Sequence, residues 1–298
     1  MNSQTLHEYI SRHLSSTALL AALGAALDAQ LTGTPLPSTI QARIDEVSAA
    51  FKIDRLTDGV NPAELRQVLA EIRFNMLLDA KLLFQATRSL AWAHNETEIL
   101  QAGGEVSAGF ADALKNVFVP RLDGLPERLE NGSFLDVGVG VAGLSIAMAR
   151  QWPSLNVVGI DPWVPSLALA RQNVRNAGLA DQIQLREQAV EDISDTNAFD
   201  LAWIPSAFVP EKTIPAACQK VYRALRPGGW LLLAMANPGS DPESTSVVRL
   251  RTVLWGGALI NPDQIESLLQ RTGFADVRIL PSPPGAVVAF IAARRIES

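Results

Sequence analysis

Along the first hundred residues apolar side chains recur at helical steps, and strand signals are almost absent. Leu6, Ile10, Leu14 and Ala18 set the step, Pro35 and Pro37 interrupt it, and Ile40, Ile44 and Val47 resume it. Asn61-Pro62-Ala63-Glu64 puts a capping side chain before a proline at the first helical position. The following pattern predicts a long helix from Leu65 to about Trp92, with Leu69, Ile72, Met76, Leu83 and Leu90 among its apolar positions. Gly103-Gly104 is the expected boundary, dividing the chain into an all-helical region, residues 1–103, and a second domain, residues 104–298.

Beyond that point the pattern changes. Helical segments near Phe110–Phe118 and Pro126–Leu129 lead into short apolar runs that alternate with helices. Strands are predicted at Phe134–Val137, Asn156–Ile160, Ile183–Arg186, Leu201–Ile204 and Trp230–Ala234, with helices at Leu144–Arg150, Ser166–Ala177 and Ile214–Leu225. Alternation of this kind predicts a parallel sheet with helices on both faces. Two last strands, Val277–Leu280 and Val287–Ala292, are separated by Pro281-Ser282-Pro283-Pro284-Gly285, too short for a helical crossover. They should therefore pair as an antiparallel hairpin. The expected fold is α/β: a Rossmann-like, mostly parallel seven-stranded sheet with an antiparallel C-terminal hairpin, preceded by helices.

Composition narrows the partners. A formal net charge of −6 argues against nucleic acid, and Arg249 with Arg251 and Arg294 with Arg295 read as ordinary solvated charge. The single cysteine, Cys218, excludes a disulfide framework and a Cys-based zinc site, and its helical setting marks it as a buried small hydrophobe. No metal is expected. Residues Ala18 to Leu27 are apolar, but Gly24 and Asp28 interrupt them and no small-x-small cleavage site follows. An amphipathic helix of a cytoplasmic protein, without a membrane partner, is the expectation.

The stretch that carries chemistry is Asp136-Val137-Gly138-Val139-Gly140-Val141-Ala142-Gly143, which joins a strand to a helix. Such a turn brings backbone N–H groups and a helix N-terminus against a nucleotide-like ligand. Gly138, Gly140 and Gly143 fit G-x-G-x-x-G, and Asp161 ends the next strand, as in a dinucleotide site. Asp136 opposes that occupant, because a carboxylate there faces a diphosphate badly but suits an ammonium or sulfonium charge. With Asp136 in front of the glycines, the chain resembles the class I S-adenosylmethionine-dependent methyltransferases. The resemblance runs from about Gly104 to the end. It continues through Val157-Val158-Gly159-Ile160-Asp161-Pro162-Trp163, Phe199-Asp200-Leu201-Ala202-Trp203, Leu225-Arg226-Pro227-Gly228-Gly229-Trp230 and Thr272-Gly273-Phe274. Ala142 stands where the family has its third glycine.

The resemblance implies a cofactor, S-adenosylmethionine, and roles for residues. Gly138, Val139, Gly140 and Gly143 would present backbone to the methionine part, with Asp136 holding its ammonium directly or through water. Asp161 would accept hydrogen bonds from both ribose hydroxyls. Pro162 and Trp163 would flank the adenine, and Trp163 could equally pack in the core. Gln188, Ala189 and Val190 would lie at the adenine amino group, and Ile204 with Pro205 near the methyl. Leu225 to Gly229 reads as a helix end and a Pro-Gly turn, without chemistry.

On the acceptor side the sequence says less. Some relatives with an added helical region methylate oxygen with a histidine of the methyltransferase domain as base. This chain has only His7, His13 and His94, none after Gly104, so that mechanism does not carry over. The catalytic base is unassigned. Candidate pocket residues are Tyr9 and His13, which a helix would present together, Glu211 after the fourth strand, and the aromatic Phe208 and Trp255. Asp241-Pro242-Glu243 has the order of a helix start. A small, partly apolar or aromatic acceptor of secondary metabolism, and a homodimer built through the helical region, are the expectations. The alternatives are an NAD(P)-dependent oxidoreductase or a noncatalytic protein that keeps the fold.

Overall fold

The computed structural model describes residues 3–53, 57–85, 92–237, 241–282 and 287–296. The chain divides into two compact units, Met1–Ala86 and Thr87–Ser298.

The first unit is helical, as expected. It contains α1 (Ser3–Thr32), α2 (Ser38–Phe51) and α3 (Pro62–Gln85). At the start of α3 the Asn61 carboxamide accepts from the N–H groups of Ala63 and Glu64 at 2.9 and 3.0 Å, and Glu64 accepts from Asn61 N–H at 3.4 Å. This reciprocal cap is what the Asn-Pro-Ala-Glu order encodes. Leu27 of α1 packs against Leu65 and Leu69 of α3, with Leu23, Leu31 and Ile72 around them. The rest of the helix predicted to run to Trp92 falls on 86–91, outside the described residues.

The second unit begins with α4 (Thr97–Ala113), which continues through a π-helical turn at Leu114–Phe118 and a 3₁₀ turn at Val119–Arg121 into α5 (Leu125–Leu129). Then come β1 (Ser133–Val137), α6 (Gly143–Gln151), β2 (Asn156–Asp161), α7 (Val164–Asn176), β3 (Ile183–Glu187), β4 (Phe199–Pro205) and α8 (Ile214–Ala224). The unit closes with β5 (Leu225–Ala236), α9 (Pro242–Leu254), α10 (Pro262–Thr272), β6 (Phe274–Leu280) and β7 (Val288–Arg295). The seven strands lie in the order β3-β2-β1-β4-β5-β7-β6. The first five run parallel, while β7 is antiparallel to both β5 and β6.

Both faces of the sheet are covered, and the strands show why. Along β5, Trp230, Leu232 and Ala234 enter one core, and Leu231, Leu233 and Met235 enter the other. Phe134 and Leu135 of β1, and Trp203 and Ile204 of β4, divide in the same way. The alternation places Phe134, Leu144 and Met148 in one layer and Cys218 and Val221 of α8 in the other. Cys218 is fully buried and its thiol is pushed up to about 12 by that burial, in keeping with a small hydrophobe.

Gly103-Gly104, expected to separate the two regions, lies inside α4 instead, and the units divide between Ala86 and Thr87. Gly104 is there for packing. A Cβ on it would stand 2.2 Å from Val141 Cγ2, and one on Gly143 would stand 1.9 Å from the Gly104 carbonyl oxygen. Two bare backbones let α4 lie directly on the start of α6.

Candidate functional site

Strand order reverses between β1 and β4, so the crevice at the carboxyl ends of β2, β1 and β4 is where an open α/β sheet binds ligands. The glycine turn occupies it. Gly138 and Gly140 have φ of +69° and +56°, and Ala142, at the variant position, also sits left-handed at +67°. The turn is fastened to β2: the N–H groups of Gly138 and Val139 donate to the Ile160 carbonyl at 2.9 and 3.0 Å. Nothing lies closer than 4.0 Å to the point where a Cβ of Gly140 would stand, and Pro205 Cγ lies 3.6 Å from that of Gly138. A side chain at Gly140 would therefore project into open space above the turn, the room a ligand needs to reach the backbone.

Two buried carboxylates flank this turn. Asp136 is 2% exposed, accepts a hydrogen bond from Ser145 Oγ at 2.6 Å, and burial pushes its carboxyl up to about 7. Asp161 is 7% exposed and also raised by burial; its oxygens accept from Gly140 N–H at 2.9 Å and Trp163 N–H at 2.7 Å. Those two bonds tie the second strand end to the glycine turn. Each Asp161 oxygen keeps a lone pair for a further donor. Among the described residues no cation pairs with either carboxylate.

The remaining residues sort by direction. Pro205 reaches the turn and Pro162 is exposed beside Asp161. The side chains of Val139, Val190 and Ile204 are buried in the two cores, so any contact they make with a ligand is through backbone, as expected for Val139. Gly143 serves the α4 contact. The Gln188 amide donates to the Asp192 carbonyl at 2.9 Å, folding the loop that contains Ala189 and Val190. Trp163 is neither core nor free: its indole N–H donates to the His94 carbonyl at 2.8 Å.

Of the acceptor candidates, Phe208 and Trp255 are brought together, their rings stacked at 5.1 Å and 13°. A Cβ on Gly257 would stand 1.8 Å from the Ala207 carbonyl oxygen, so a glycine there lets the turn after Trp255 close on Phe208. Tyr9 and His13 do share a face, with ring centroids 4.4 Å apart, on an exposed stretch of α1 in the other unit. Glu211 is exposed in a 3₁₀ turn before α8. Asp241 caps α9 as its sequence foretells, accepting from Ser244 N–H at 2.8 Å.

Sequence reasoning missed Trp92 and His94. Trp92 meets Phe208 edge-on at 5.1 Å and His94 edge-on at 4.9 Å. Both belong to the compact unit that holds the sheet. The missed signal was the boundary itself, expected at Gly103-Gly104 inside α4 and not ahead of that helix.

A seven-stranded sheet in this order, with the last strand reversed between β5 and β6 and a glycine turn after β1, has the class I methyltransferase fold. Residues 134–229 match the family model described as a methyltransferase domain. Among curated proteins, an S-adenosyl-L-methionine-dependent methyl transferase, PigF, from a Serratia species is 24% identical over 195 residues, 61% of this chain and 56% of that one. The chain thus spans about half the length of that relative. Among solved structures, PigF with SAH superposes with a TM-score of 0.63 at 18% identity, covering all of both chains. The mitomycin 7-O-methyltransferase MmcR gives 0.61 at 16% identity and 98% coverage of each. The dinucleotide alternative loses its support, because its usual sheet order runs 3-2-1-4-5-6 without the reversed insertion.

Proposed function

We propose that this chain is a methyltransferase that uses S-adenosylmethionine to methylate a small, partly apolar or aromatic molecule. The observation that carries it is the pair of buried aspartates, Asp136 and Asp161, on adjacent strand ends around an open glycine turn. Burial disfavours both charges, and a ligand that brings an ammonium to one and a diol to the other relieves that cost. The donor set fits S-adenosylmethionine in that sense: Asp136 toward the amino group, Asp161 toward the ribose hydroxyls, the backbone at Gly138 and Gly140 against the methionine. When bound, the cofactor supplies a methyl on a sulfonium whose departure needs no further activation. The residues around it then have to align the acceptor, exclude water and take up a proton.

PigF supports the methyl donor, and the mitomycin 7-O-methyltransferase supports a small acceptor and a place in secondary metabolism. The acidic net charge supports the absence of a nucleic-acid partner. A homodimer through the helical unit draws support from α1, where Leu6, Tyr9, Ile10 and Leu14 form one stripe and are 46–63% exposed. By length and composition Gln4–Thr32 is apolar enough to cross a membrane. Its use of Leu27 against α3, and the 2.8 Å ion pair of Asp28 with Arg73, instead support a helix of a cytoplasmic protein.

Calorimetric titration with S-adenosylmethionine, S-adenosylhomocysteine and NADH tests the central claim. Saturable binding of the two sulfur ligands is expected. Binding of NADH with no heat from either of them would overturn it.

A further inference from the structure

The Asp136 carboxyl has one hydrogen-bond partner among the described residues, and that partner is uncharged. Ser145, in the first turn of α6, donates its hydroxyl to Asp136 Oδ2 at 2.6 Å. Ser145 is fully buried and Asp136 nearly so, which keeps water from competing for that bond. Asp136 Oδ1 has no partner among the described residues, yet it is not one of the polar atoms sealed from solvent. The helix itself needs no hydroxyl here, since alanine propagates a turn better and a buried hydroxyl is costly unless bonded. A serine steadies a carboxylate without neutralising it. A cation in its place would complete the charge, as Arg128 and Arg226 do at Asp200.

The elements around Asp136 bring no countercharge of their own. Its register partner on β2 is Gly159, and that strand ends in Asp161, which repels it. Its partner on β4 is Trp203. Arg150 of α6 is exposed, as are Glu98, Glu105 and Asp112 of α4, the helix that lies on α6. Burial raises the Asp136 carboxyl, the Ser145 hydrogen bond lowers it, and Asp161 raises it again.

We propose that Ser145 is a positioning residue that makes this site select ligands carrying an amino group: its hydroxyl holds Asp136 as the anion and leaves Oδ1 to receive an ammonium. The proposal rests on the methyltransferase function given above. A ligand without the amino group gains nothing from an ionised Asp136, because no partner arrives for the buried charge. A ligand with it binds only as the carboxyl gives up its proton, and Ser145 sets the pH at which that happens. Without the hydroxyl, Asp136 keeps its proton to higher pH and takes an ammonium only there.

The test titrates the full chain by calorimetry with S-adenosylhomocysteine, which carries the amino group, and with methylthioadenosine, which lacks it. In wild type the first should bind more tightly as pH rises through about 7, and the second should bind alike throughout. A hydrogen bond to a charged group is worth about a factor of ten or more. In Ser145→Ala, S-adenosylhomocysteine affinity should therefore be about tenfold weaker at about pH 6 and within about twofold of wild type at about pH 8.5. The limb of the profile should move up by about one pH unit. Affinity for methylthioadenosine should stay within about twofold at either pH, which also shows that the variant is folded. Ser145→Cys keeps nearly the same volume with a far weaker donor, so it should follow the alanine variant, whereas a mere packing role would leave it like wild type. Equal losses at the two pH values, equal losses for the two ligands, or a wild-type profile in either variant overturns the proposal. Failure of the unaltered chain to bind S-adenosylhomocysteine at any pH would instead sink the methyltransferase reading.

Discussion

At the amino end of the central strands a buried aspartate is closed in by two arginines, whereas at the carboxyl end two buried aspartates meet no cation from the described chain. Asp200, 4% exposed at the start of β4, accepts from Ser133 N–H at 2.9 Å, from Arg128 at 3.4 Å and from Arg226. Asp136 and Asp161 are buried to a similar degree, and their partners are a hydroxyl and backbone N–H groups. Burial alone therefore does not mark a functional carboxylate. The distinction lies in whether the protein itself supplies the countercharge. Asp200 is complete and holds the sheet to the loops below it. The upper pair has no such cation among the described residues, and in the function proposed above a ligand supplies the missing partners.

Removing a carboxylate from each end should give opposite phenotypes, and the larger effect belongs to the lower one. Asp200→Ala strands two arginines and the Ser133 N–H, which for a buried pair costs about 3–5 kcal/mol. Since a unit of this size loses about 2–4 °C per kcal/mol, the melting temperature should fall on the order of 10 °C. Affinity for S-adenosylhomocysteine in the folded fraction should not change. Asp161→Ala should do the reverse: affinity about a hundredfold weaker by calorimetry, equivalent to about 2.7 kcal/mol, with a melting temperature lower by only a few degrees. A thermal loss in Asp161→Ala as large as in Asp200→Ala would erase the distinction between the two ends.

The same contrast says what could be read before the structure. The strands and the reversed pair follow from short apolar runs and from a connection too short for a crossover, so most of the sheet was legible, while the order of its strands was not. Asp136 and Asp161 were legible as a pair, because strand ends put them beside one turn. Direction was less legible. Val139, Val190 and Ile204 stand at expected site positions with core side chains, and period-2 alternation decides that direction only once both sheet faces are known to be covered. The boundary was misplaced because Gly103-Gly104 resembles a break in sequence, while in space it is where two helices touch. That displacement hid His94 and Trp92. The role of Arg226 was equally invisible, since Leu225 pairs with Phe199 and Trp230 with Leu201, looping the intervening residues out toward Asp200.

An intermediate effect is the pH dependence that Asp136 brings. The Asp136 carboxyl sits at about 7 in the folded chain against an ordinary 3.8. The folded state thus keeps a proton that the unfolded state has released across that window. Its contribution to stability is complete below the ordinary value and is lost as pH rises through about 7. The ligand-free protein should lose stability over this range at up to about 1.4 kcal/mol per pH unit. Asp136→Asn should flatten the profile. S-adenosylhomocysteine, by bringing an ammonium, should expel the proton, so calorimetry near pH 6 in buffers of different ionisation heat should register release approaching one proton. Uptake, or no exchange at all, would mean that Asp136 does not face the ligand's charge.

The smallest effect concerns Trp163, which follows Asp161 into α7. Trp163→Phe keeps an aromatic ring, though a smaller one, and removes one donor, leaving the His94 carbonyl without the indole N–H now 2.8 Å away. A single neutral hydrogen bond contributes about 1 kcal/mol, so the melting temperature should move by only a few degrees. The backbone N–H of residue 163 still reaches Asp161, so the proposed ribose acceptor keeps its position and S-adenosylhomocysteine affinity should weaken less than about fivefold. What should change is the segment from Trp92 to Glu96. Amide hydrogen exchange there should quicken relative to wild type, while the Asn131 to Ser133 region around Asp200 keeps its protection. Unchanged exchange at His94 would mean that other contacts hold this segment. A collapse of cofactor affinity would instead give Trp163 the adenine contact as its main work, making the upper site depend on an aromatic face as much as on its two carboxylates.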